Sequence, residues 1–253
     1  MRDLSVLGVI VLVAAYALLH PWVGIMGWTW LSLMNPHTLT WELRDMPVAA
    51  IMAVATLIGI IISRDRKNFY VTPETGILIA FMLWMSITLV FSINFDWSTY
   101  MWERVMKIDF MTLAALVVLY SKKHITVLAW VVAGSIGFYG FKGGLFTIAT
   151  GGNYLVWGPE GTFIGGNNEL ALAMILVIPL INFLYLTQEK KWLKRSLLAW
   201  MFLCAIAALG SHSRGALLAI GAMATVLWWR SPGKLKYGII IATVGIVALT
   251  FMP

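Results

Sequence analysis

The sequence predicts an all-α protein, a polytopic membrane helix bundle of about nine transmembrane helices with a short interfacial or re-entrant segment at 21–46. Three observations predict it. Of 253 residues only 11% are charged while 60% are hydrophobic, and the mean hydropathy is +0.86; a soluble domain carries about 25% charged residues. Apolar runs of roughly the 20 residues that cross a hydrocarbon core recur between short charged knots. Lys and Arg are spread unevenly over alternate knots, as in proteins oriented by the positive-inside rule.

The first span is expected at 4–20. No small-residue cleavage pattern follows it, so it reads as a retained helix rather than a signal peptide. The stretch Gly24–Met34 is apolar but short, aromatic and bounded by Pro21 and Pro36, which suits a segment lying at the interface or re-entering. Further spans are expected at 47–63, 75–93, 104–121, 124–148, 168–187, 195–210, 214–230 and 236–253. If 21–46 does not cross, one side receives Arg2, Arg64, Arg66, Lys67, Lys122, Lys123, Lys190, Lys191, Lys194, Arg195, Arg230, Lys234 and Lys236, thirteen of the eighteen cations. Arg44, Arg104, Lys107, Lys142 and Arg214 fall on the other. The rule then predicts a cytoplasmic N-terminus. Trp41, Trp97, Trp102, Trp157, Trp192, Trp228 and Trp229 lie near span ends, as an aromatic belt does.

A net charge of +7 invites a nucleic-acid partner, but the cations sit in short loops rather than along one face, so none is expected. The single cysteine, Cys204, excludes a disulfide or a cysteine metal site within the chain. No repeat and no inverted pair of broken helices is visible, and 1–253 reads as one membrane domain. There is no HExxH, Walker loop, paired-carboxylate signature or Gly-x-Ser-x-Gly.

Topology explains the cytoplasmic cations, so the five on the other side carry the information. Arg214 stands at the outer start of a helix that Ser211 or Ser213 can cap. Free N–H groups, the dipole and a guanidinium fork together make a phosphate cradle there, or else the arginine snorkels or pairs with an acid. Arg104 and Lys107 are one turn apart, with Glu103 and Asp109 close enough to neutralise them. Lys142 lies between glycines in an otherwise uncharged span, which is either functional or a structural ion pair. The loop 151–169 is glycine-rich and is expected to end in an asparagine cap, as a lid over an outer cavity or as a plain connector. Its Asn167, Asn168 and Glu169 suit a hydroxyl-rich ligand. His124 reads as a helix-end residue, His20 and His37 show no partner, and His212 beside Arg214 is the only histidine in a suggestive place.

At Ser211–Leu218 the sequence resembles the O-antigen ligase/polymerase superfamily, whose Arg-x-x-x-Leu element at an outer helix start is matched by Arg214 and Leu218. Met34–Trp41, Trp157–Gly161 and Gly165–Glu169 resemble the O-glycosylation ligases associated with exosortase systems, and the likeness runs over essentially the whole chain. The resemblance implies a family-specific half at 1–190 and the start of the ligase-like core at 195–253. It implies a glycosyltransferase of the bacterial cytoplasmic membrane that moves a glycan from undecaprenyl pyrophosphate to a lipid or protein acceptor on the outer face, with no metal or other cofactor. Arg214 matches the pyrophosphate arginine, and Ser213, Arg104, Lys107 and Lys142 are candidate partners on the same face. The family's acceptor-activating histidine is expected in a large outer loop downstream of Pro253, so the chain alone is expected to be inert, with His212 the one candidate inside it. A polysaccharide polymerase, or a transporter or flippase of an anionic lipid-linked solute, would use the same outer cations.

Overall fold

The computed structural model describes residues 2–44, 46–230, 234 and 238. Among the described residues the regular structure is entirely helical. The elements are α1 (Arg2–Leu19), α2 (Pro21–Met34), a 3-10 turn over Pro36–Leu39, α3 (Val48–Ile62), α4 (Pro73–Val90), α5 (Phe95–Val118), α6 (Lys122–Ala149), α7 (Asn167–Thr187), α8 (Lys191–Gly210) and α9 (Arg214–Arg230). Eight of the expected spans thus correspond to helices, and the ninth, 236–253, lies outside the described residues. Four helices, α4, α6, α7 and α8, are long and apolar enough to cross a membrane, fewer than the nine expected; Asp3–Leu19 and Val48–Ile62 are apolar but shorter. Helix α5 begins at Phe95 rather than 104 and so takes in Asp96, Glu103, Arg104, Lys107 and Asp109.

The chain folds into two compact units that divide within α6. The first comprises the residues up to Ser32 together with Pro36–Leu128. At its centre, the start of the 21–46 stretch forms helix α2, 14 residues long. Pro21 opens α2 at a position where the missing N–H breaks no helical bond. The glycines of α2 are contact points. A Cβ on Gly24 would stand 2.8 Å from Ala17 Cβ and 2.2 Å from Thr56 Oγ1; on Gly27, 2.6 Å from Val13 Cγ1 and 3.1 Å from Met52 Sδ. As α2 advances, its partners on α1 and on α3 recede, so α2 runs antiparallel to both, drawn close by small residues as in membrane helix pairs. Gly59 lets α3 approach the Ala17 carbonyl of α1 in the same way.

The ends of this unit follow. The Asp3 carboxylate accepts hydrogen bonds from the N–H groups of Trp41 (2.8 Å) and Glu42 (3.3 Å), while His20 Nδ1 meets Asp65 Oδ2 at 3.0 Å. The N-terminus and the Arg64–Arg66–Lys67 cluster therefore occupy opposite ends of the unit, against the expectation that Arg2 shares a side with them.

The second unit holds residues 33–35 and the described chain from Ala129 onward. Its core gathers Ala133, Met174, Val177, Ile181, Leu184, Cys204 and Ala208. A glycine face on α6 allows α8 to close on it: a Cβ at Gly140 would meet Cys204 Sγ at 2.4 Å, and at Gly144 the Leu203 carbonyl at 2.4 Å. Trp200 Nε1 donates to the Gly137 carbonyl at 2.7 Å, a polar bond between helices that the missing side chain permits.

Candidate functional site

One end of the second unit is built by the end of α6, the loop after it, the start of α7 and the α8–α9 turn. Ser211 and Ser213 close the turn. Ser211 Oγ donates to the Ala208 carbonyl (2.7 Å) and accepts from the Ser213 N–H (3.2 Å); Ser213 Oγ accepts from the Ala216 N–H (3.1 Å). Of the two candidates, Ser213 is the cap of α9. Its hydroxyl is buried and committed to that role, so its contribution to an anion site is positional. The first-turn N–H groups of Arg214 and Gly215 remain without an acceptor among the described residues. A Cβ on Gly215 would meet nothing closer than Ser213 Oγ at 3.7 Å, so the space in front of them is open.

Arg214 is exposed and has neither an ion pair nor a hydrogen bond among the described residues. A cation in a helix's first turn opposes the dipole, at about 0.3–1 kcal/mol when nothing neutralises it. Donors, dipole end and guanidinium thus converge on one unfilled anion position.

His212 holds a left-handed backbone, φ 52°, which L-residues rarely adopt. Two bonds keep it there: its N–H donates to the Leu209 carbonyl at 3.0 Å, and Nε2 lies 2.9 Å from the Gly152 carbonyl. A carbonyl only accepts, so Nε2 carries the proton. The imidazole that showed no partner in sequence is a strut between the turn and the loop, with only Nδ1 left to accept.

The loop is tied down at two points. Val156 N–H donates to the Gly210 carbonyl (3.0 Å), Gly158 N–H to the Gly165 carbonyl (3.1 Å), and Val156 is buried against the α6–α8 core. The expected asparagine cap is corrected. Gly166 is the α7 cap residue and makes no side-chain bond; Asn167 reaches across instead, its Nδ2 donating to the Ser211 carbonyl at 3.0 Å. Asn168 and Glu169 are exposed on the next positions, with the Glu169 carboxylate folded over Gly166.

The other expected cations do not join this end. Lys142 is exposed on α6 with Nζ 5.6 Å from the centre of the Phe138 ring, and it has no acidic partner among the described residues. Arg104 and Lys107 belong to the first unit. Lys107 pairs with Glu103 at 2.6 Å, and Arg104 donates to Tyr100 Oη at 3.2 Å while lying over its ring. Asp109 does not help to neutralise them: it is buried, and its Oδ2 has no hydrogen-bond partner.

A family model described as a family of unknown function, DUF5935, matches residues 1–190. The chain belongs to this family. No curated protein and no solved structure matches it. The DUF5935 region contains Arg104, Lys107, Lys142, Asn167, Asn168 and Glu169, whereas His212, Ser213 and Arg214 lie beyond it. The site's tethers therefore join DUF5935 residues, Gly152, Val156 and Asn167, to the segment that follows. Sequence reasoning missed Gly152 and Gly210 because both act through backbone carbonyls.

Proposed function

We propose that this chain is the membrane-embedded part of a glycan ligase of the O-antigen ligase type in the bacterial cytoplasmic membrane. Its full-length protein would transfer a glycan from undecaprenyl pyrophosphate to an acceptor on the outer face. The observation that carries the reading is Arg214, an exposed guanidinium without a counter-charge, beside two free N–H donors at a serine-capped helix start. Cleaving a sugar–pyrophosphate bond leaves extra negative charge on the lipid pyrophosphate. Donors fixed where that charge develops lower the barrier.

Four apolar helices of spanning length support a membrane location, as do large apolar side chains left exposed on the shorter ones, such as Leu12 and Ile61. With α2 crossing, successive helices put Arg64, Arg66, Lys67, Lys122, Lys123, Lys190, Lys191, Lys194, Arg195, Arg230 and Lys234 on one side, eleven of the eighteen cations. That side is the cytoplasm by the positive-inside rule. The N-terminus is then outside, the reverse of the orientation expected from sequence, and the start of α9 faces outward with Arg2, Arg44, Arg104, Lys107 and Lys142.

The test is Arg214→Lys in the full-length protein, read by glycan profiling. Lysine keeps the charge and loses the bidentate fork. Accumulated lipid-linked glycan with unmodified acceptor, at normal protein level, is the expected result. Unchanged transfer removes Arg214 from the site, and loss of long chains alone favours a polymerase.

A further inference from the structure

The first unit carries a second concentration of charge, at the end where His20 meets Asp65. The segment between α3 and α4 is strapped across that end. Asn68 N–H donates to the Val117 carbonyl at 3.0 Å, Asp65 is held by His20, and the Arg66 guanidinium lies 5.7 Å from the centre of the Tyr120 ring. The strap brings Arg64, Arg66 and Lys67 to the start of α6, whose first two residues are Lys122 and Lys123. Two carboxylates accompany these five cations. Asp65 is paired with His20, and Glu74 sits in the first turn of α4, where it suits its own helix dipole. Lys67 Nζ donates to the Ser63 carbonyl. Arg64, Arg66, Lys122 and Lys123 have no carboxylate partner among the described residues.

The same place has an aromatic wall. His124, 7% exposed, is stacked on Trp22 (ring centroids 4.5 Å apart, 10° between planes) and meets the edge of Tyr120 at 4.9 Å. Its backbone N–H donates to Ser121 Oγ at 3.1 Å, which caps the helix. Clustered cations on a fixed strap, a helix start with uncommitted donors and an aromatic wall describe a site for a phosphate anion.

We propose that Arg64, Arg66, Lys122 and Lys123, backed by Trp22, Tyr120 and His124, bind a phosphate group, supplied by the headgroup of an anionic phospholipid in the cytoplasmic leaflet. The lipid source rests on the membrane reading above; the phosphate chemistry does not. It would anchor the start of α6.

The test uses the whole chain in detergent. Short-chain phosphatidylglycerol, short-chain phosphatidylcholine and inorganic phosphate are titrated separately, with binding followed by thermophoresis and retained lipid by native mass spectrometry. Phosphatidylglycerol is expected to bind in preference to phosphatidylcholine. The Arg66→Gln/Lys122→Gln/Lys123→Gln variant should lose about a hundredfold in affinity, from roughly a fivefold loss per cation removed near an anionic surface. A Lys190→Gln/Lys191→Gln variant, altered in the second unit, should bind as the parent does. Binding of inorganic phosphate with the same sensitivity keeps the site and replaces the lipid by free phosphate. Equal affinity of parent and triple variant, with both shown helical by circular dichroism, overturns the site. Recovery of the chain in the soluble fraction of cells defeats the membrane reading instead.

Discussion

Two helices of this protein, α6 and α9, begin on a serine cap with a cation in the first turn, and they differ in everything around the cap. At α6, Ser121 caps His124 and the start lies among five cations. At α9, Ser213 caps Ala216, and Arg214 is the cation of the first turn. The turn before α9 is tethered by His212 to Gly152, by Asn167 to Ser211 and by Val156 to Gly210. The same local motif thus serves two ends. Among clustered cations it offers a place for an anchor; at α9 one exposed arginine and two unpaired N–H groups stand on a turn whose serine hydroxyls and histidine Nε2 are already bonded.

This contrast makes graded predictions, the largest at α9. In the full-length protein Arg214→Lys should lower glycan transfer by about 10²-fold, the size of effect typical when one fixed donor to developing charge is lost, with little change in stability. Lys122→Gln should leave transfer unchanged. Equal losses would mean that the two starts do one job.

The caps come next. Ser213→Ala and Ser121→Ala should each destabilise by about 1 kcal/mol, measured by thermal unfolding in detergent, because each leaves a first-turn N–H unpaired. Only the former should also slow transfer. His212 refines the point. His212→Gly relieves a left-handed backbone that is worth roughly 1 kcal/mol while losing one hydrogen bond of similar size, so its stability should hold. His212→Ala keeps the strain and loses the bond, and should melt earlier. Activity that survives in His212→Gly would limit His212 to a structural role.

A smaller effect is set by pH. Burial pushes the His37 imidazole below its ordinary value. The folded state then favours neutral His37, so its contribution is present above the unfolded value, about 6.5, and is lost as pH falls toward the folded one. The melting temperature of the parent should fall faster than that of His37→Gln between those values. Smallest of all, Lys107→Gln should cost no more than about 0.5 kcal/mol, since its pair with Glu103 is solvent-exposed. A large loss of transfer in that variant would bring the first unit into the donor site.

Sequence patterning made the helices legible, because burial in lipid or protein demands long apolar runs with internally bonded backbone. For α2 it gave a short apolar segment bounded by prolines; that Gly24 and Gly27 are packing residues emerges only once α1 and α3 are in place. It found Arg214 and Ser213 because charge and capping are local properties. It could not find Gly152 or Gly210, whose carbonyls carry no side-chain signal. Asp109 was read as a surface neutraliser because spacing on one helix does not reveal which face a neighbouring helix covers.

The proposed topology turns on whether α2 crosses, which decides the side of the N-terminus, and labelling of single cysteines in a Cys204→Ala background measures it. Leu4→Cys, Trp41→Cys and Glu160→Cys are expected to react with an impermeant reagent added outside intact cells, while Lys67→Cys and Lys191→Cys react only after the membrane is opened. Protection of Leu4→Cys with labelling of Trp41→Cys and Glu160→Cys would return the N-terminus to the cytoplasm and contradict a crossing of α2. Labelling of Lys191→Cys from outside would invert the bundle and take Arg214 away from the outer face.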